Sequence, residues 1–141
     1  VWATHAESTP FFSAGEVDRA EGLEALAEDG DPSALVASLP SNQVISNSGE
    51  LGNPTGTPAG DKEAVTGLAL PGQAFEFTVT TNALSPYLSF ASMLAESNDL
   101  FLSPGSSGFR LFDDAGNPIA NQEITSNIEL WDLGTISQGP E

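Results

Sequence analysis

The run from Tyr87 to Phe101, YLSFASMLAESNDLF, is the most apolar stretch of the chain and restricts its fold more than any other. Read with period two, Tyr87, Ser89, Ala91 and Met93 fall on one face, and Leu88, Phe90, Ser92 and Leu94 on the other. Both faces need cover, which is the pattern of a central strand in a layered β structure. The run breaks at Glu96-Ser97-Asn98-Asp99, a polar turn with two carboxylates, and resumes at Leu100 and Phe101.

Other β signals surround it. Gln73 to Thr81 has the clearest alternation in the chain, with Phe75, Phe77 and Val79 against Glu76, Thr78 and Thr80. Further strands are predicted at Val1 to Thr4, Val65 to Leu70, Phe109 to Phe112 and Ser126 to Trp131. Asp113-Asp114-Ala115-Gly116-Asn117-Pro118 reads as a turn. Residues 41–61 are rich in Asn, Ser, Gly, Thr and Pro and read as a long loop holding one short strand near Val44-Ile45.

Helical signals precede the β region. Ser13 and Glu16 have capping-box spacing, and Val17, Ala20, Leu23, Leu26 and Ala27 then share a helical face. Gly22 weakens that helix by about 1 kcal/mol relative to Ala. Asp31-Pro32 reads as the start of a second helix, carrying Leu35, Val36 and Leu39 and stopped by Pro40. The expected fold is therefore mainly β: one domain over 1–141, an antiparallel β-sandwich with a small N-terminal helical hairpin.

Charge then bounds the partners. The 141 residues carry 20 acids against Arg19, Lys62 and Arg110, a net charge of −17. Such a surface repels nucleic acid, whose phosphates demand basic patches. No apolar run is long enough to span a membrane. There is no cysteine, so neither disulfides nor thiolate metal sites are available.

The chemistry-bearing residues are few. His5 is the one histidine, with no nucleophile motif beside it, so a Ser–His–acid centre has little to build on. No carboxylate pair stands out for glycosidase chemistry, and the chain reads as a non-enzyme. Asp99 and Asp132 each follow a hydrophobic strand, where loops of a sandwich could converge on a calcium ion. An acid after a strand is more often simply a turn residue.

Three motifs in order resemble one family. THAESTPFFSAGEVDRAEGLEALAEDGD, Thr4 to Asp31, is similar to the start of the spondin N-terminal domain. LSFASMLAESNDLF, Leu88 to Phe101, resembles that family's strand and acidic turn, and LWDLGT, Leu130 to Thr135, resembles its W-D-x-G-T signature. The resemblance implies a β-sandwich with an extracellular or cell-surface adhesion role. Its partners would be other cell-surface or matrix components, or copies of itself. It also implies one calcium, held by Asp99 and Asp132. Where the family places another acid this chain has Ile136, which cannot coordinate a cation. The resemblance further implies strands missing at both ends of the chain, trimmed or supplied by a neighbouring subunit. The alternative function is thus a homo-oligomeric subunit of an extracellular filament or surface assembly, completed by strand exchange.

Overall fold

The computed structural model of the chain describes residues 1–6, 10–42, 45–95 and 97–134. Seven short strands lie among them: β1 (Trp2–His5), β2 (Ile45–Gly49), β3 (Tyr87–Phe90), β4 (Ser92–Met93), β5 (Leu100–Ser103), β6 (Phe109–Arg110) and β7 (Glu129–Asp132). Two short helices, α1 (Leu23–Asp29) and α2 (Ser33–Ser38), and two 3-10 turns, Leu39–Ser41 and Thr125–Asn127, accompany them. The strands form two antiparallel sheets, ordered β2-β1-β3-β6 and β4-β5-β7.

The apolar run 87–101 is shared between these sheets. β3 pairs with β1 and β6, whereas β4 pairs with β5. The switch falls at Ala91, which is fully buried and whose N–H donates to the carbonyl of Val1. One continuous strand was expected here. A small residue at the crossing lets the chain bend between layers without leaving a backbone donor unsatisfied. β4 and β5 form a hairpin, with Leu94 N–H donating to Leu100 O and Ser97 N–H to Leu94 O.

The first helix is much shorter than its periodicity predicts. It begins at Leu23, and Ser13 and Glu16 form no capping box; Glu16 N–H instead donates to Ser13 O in a turn. Val17, assigned to the apolar helical face, is 88% exposed. Gly22 explains the late start. It has a left-handed φ of 103°, and a Cβ there would stand 2.3 Å from Leu35 N. The glycine is thus the contact between the two helices rather than a weak link inside one. The outcome is two short helices, not a clear helical hairpin. The second start is closer to expectation, since Asp31 Oδ1 accepts the N–H of Ser33 at 2.9 Å.

Two predicted strands are absent. Val65 to Leu70 folds back on itself, because Gly67 takes a φ of +75° and Leu68 N–H donates to Val65 O. The 73–81 alternation is kept in part, with Phe75 and Val79 half-buried but Phe77 exposed, and among the described residues only Ala74 is bridged, to Thr55. The 113–118 turn forms as its residues dictate, Asp113 Oδ1 accepting from the N–H groups of Ala115 and Asn117. Those bonds hold the Asp113 carboxyl below the usual carboxylate range.

The core gathers Val1 and Ala3 from the first sheet, Phe101 from the second, and Phe11, Leu23, Leu26, Ala27, Leu35 and Leu39 from the helical region. At the end of α1, a Cβ on Gly30 would come within 3.2 Å of Met93 Sδ, so this helix terminus rests on β4.

Candidate functional site

The β5–β7 ladder carries both predicted metal residues at one end. Leu100 pairs with Asp132 and Phe101 with Trp131, and beyond them Leu133 N–H donates to Asp99 O at 3.3 Å. Residues far apart in sequence are therefore neighbours in space. Directly opposed residues of a ladder share a face, and consecutive ones alternate. Asp132 accordingly lies on the face of Leu100, whereas Asp99 lies on the face of Phe101 and Trp131. Burial agrees, with Asp99 7% exposed and Asp132 open to solvent. Asp132 Oδ1 also accepts the N–H of Gly134 at 2.8 Å.

Calcium takes six to eight oxygens. Among the described residues no group of three or more acids or histidines is placed to hold a metal. Carboxylates on opposite faces of a ladder point apart, so of the two only the Asp132 carboxylate is open to an ion from solvent. Ile136 lies outside the described residues.

Beside this ladder end, the segment 12–19 crosses an aromatic floor. Phe12 meets Phe101 edge-on at 5.2 Å and Trp131 at 4.7 Å between centroids. The Arg19 guanidinium donates to Ser13 Oγ at 2.7 Å and pins the loop. Between loop and floor is a cavity of about 50 Å³, bordered by Phe12, Arg19, Trp131 and Asp132. That volume suits a few waters, not a sugar or a peptide side chain. Trp131 Nε1 is buried without an acceptor among the described residues, and a water in the adjoining space would satisfy it.

The histidine has a partner that the sequence did not reveal. His5 lies opposite Tyr87 on the β1–β3 ladder, and Ser89, two residues along β3, is its diagonal neighbour on the same face; both are buried, with His5 Nε2 2.9 Å from Ser89 Oγ. The imidazole also stacks on Tyr87 at 5.6 Å. Gly108 closes the third side. Its φ is +77°, and a Cβ would lie 2.5 Å from Ser89 Oγ and 2.9 Å from His5 Nε2. A serine and a histidine in hydrogen-bond contact are the start of a nucleophilic centre. Here both are walled in, so a substrate carbonyl has no approach, and the pair joins β1 to β3 as a buried polar clamp. Only the pairing register brings them together, and no local motif encodes that.

Comparison with family models, curated proteins and solved structures finds no match to this chain.

Proposed function

We propose that the protein is a non-enzymatic, extracellular or cell-surface binding module with a spondin-like β-sandwich, whose β5–β7 end holds a weak calcium site. The observation that carries this reading is the adjacency of Asp99 and Asp132 across one ladder. They come from the two motifs that resemble the family's calcium-bearing turns. The sandwich part draws support from a core to which both sheets contribute. The non-enzymatic part draws support from the burial of His5 and Ser89 and from the small volume beside Trp131. In this reading Asp132 offers the solvent-facing carboxylate. Asp99 positions β7 through its backbone carbonyl, and carbonyls and waters supply the remaining oxygens.

Two measurements test it together. A melt in millimolar calcium is compared with one in chelator at matched ionic strength. A ligand at 100 times its dissociation constant adds about 2.7 kcal/mol, or several degrees for a domain of this size. The shift should vanish in Asp132→Ala. The same samples are then passed over immobilised cell-surface matrix, with retention expected in calcium and release by chelator. No calcium shift removes the metal from the proposal, and no retention in either buffer removes the adhesive role.

A further inference from the structure

The segment 75–80 reads as a strand in the sequence but joins no sheet among the described residues. Phe75 and Val79 are half-buried and Glu76, Thr78 and Thr80 exposed, and Phe77, between them, is exposed as well. It is held at both ends. Ala74 exchanges backbone hydrogen bonds with Thr55, and beyond it Ser85 Oγ bonds Ser46 of β2. Between these anchors, none of the backbone N–H or C=O groups of 75–80 bonds to another described residue. Phe77 stacks on Trp2 at 6.2 Å between centroids yet remains 38% exposed.

The surroundings are unlike the rest of this chain. From Ala64 to Ala95 the sole charged residue is Glu76, in a protein with 20 acids. Leu84 and Val65, in the same stretch, are exposed. Loss of charge around apolar side chains is the compositional mark of an interface core. An unpaired edge is a template for another strand.

We infer that this edge pairs with its own counterpart in a second copy of the chain, antiparallel and centred on Thr78. The register is written in the sequence. A two-fold through Thr78 sets Thr78 opposite Thr78, Phe77 opposite Val79 and Glu76 opposite Thr80. No carboxylate then faces a carboxylate, which a dimer of chains with net charge −17 requires. Shifting the centre to Phe77 would put Glu76 opposite Thr78 but leave the phenylalanine rings of 77 directly opposed on the Trp2 side. Shifting it to Glu76 would oppose the two carboxylates. This dimer goes beyond the adhesion reading and depends on neither calcium nor Asp132.

The test is the association state of the full chain by sedimentation and light scattering, over a concentration series in about 0.15 M and about 1 M salt, where the Debye length is about 8 Å and about 3 Å. A reversible dimer is expected, tighter in high salt as the net charges are screened. Thr80→Glu places a like charge opposite Glu76 twice, by symmetry, and should weaken association about 2- to 30-fold. Thr80→Lys should tighten it by a similar factor, and Thr78→Pro should abolish it by removing a ladder donor. Thr78 and Thr80 are exposed, so the melts of the dilute monomers should stay close to that of the parent chain. A monomer at every concentration, a stoichiometry other than two, or a dimer indifferent to the charge of residue 80 would overturn the inference.

Discussion

Gly105 and Gly108 offer a matched pair for separating backbone strain from steric crowding. Both adopt φ = +77°, in one loop three residues apart. Nothing lies within 4 Å of where a Cβ on Gly105 would be built. At Gly108 the same atom would stand 2.5 Å from Ser89 Oγ and 2.9 Å from both His5 Nε2 and Leu88 O. Gly105→Ala therefore meets only the left-handed penalty, about 1–2 kcal/mol. Gly108→Ala meets that penalty and about 1–3 kcal/mol of overpacking. Pushing Ser89 away also breaks its 2.9 Å bond to a buried imidazole, which costs about 1–3 kcal/mol more. The terms overlap, so the expected totals are about 3–6 kcal/mol for Gly108→Ala against about 1–2 kcal/mol for Gly105→Ala. At about 4 °C per kcal/mol the melting points should fall by about 12–24 °C and about 4–8 °C. Urea titration with an unchanged m-value would tie both changes to native-state stability. Ser89→Ala in the Gly108→Ala background should cost less than in the parent, because the closest contact is already broken. Equal losses at the two glycines, or strict additivity of Ser89→Ala, would refute the clamp.

Two further outcomes follow from burial and charge. Leu35 is fully buried in the core, so Leu35→Ala should cost about 2–5 kcal/mol in urea titration, whereas Leu84→Ala, at a side chain 84% exposed, should stay within about 0.5 kcal/mol. In the 141-residue chain the Val1 ammonium is buried and donates to Ala91 O; burial lowers its pKa from 8.0 to about 6, with Glu50 partly opposing. A cationic group with a depressed folded pKa binds fewer protons than in the unfolded chain, so stability should rise between pH 6 and pH 8, by at most about 2–3 kcal/mol. An NMR titration of that amine with a midpoint near 8, or urea midpoints that stay flat across this window, would contradict it.

What the sequence made legible was face, and what it left dark was neighbour. Period two separated Phe75 and Val79 from Glu76 and Thr80, because alternation is local geometry, although Phe77, read onto the apolar face, is exposed. Pairing is not local. Tyr87 to Met93 reads as one strand, yet Ala91 hands it from one sheet to the other because Val1 supplies the bonding partner there. Helix termination had the same character: the apolar spacing from Val17 to Ala27 is sound as a pattern, but Gly22 must touch Leu35, and that contact sets where the helix begins. Asp99 and Asp132 were legible as strand-end acids, while their alternating faces became visible only with the Leu100–Asp132 register. His5 and Ser89 were legible as neither, since their contact exists only through the β1–β3 pairing. By this logic the 73–81 alternation is the informative mismatch. Its face pattern is the strongest in the chain, and a pattern of that strength normally finds a ladder. Within the described residues it finds only a single bridge at Ala74. A sequence that specifies both faces of a strand and leaves its edge bare has specified half of a pairing, and the self-complementary register about Thr78, in which no carboxylate faces another, points to the same sequence for the other half.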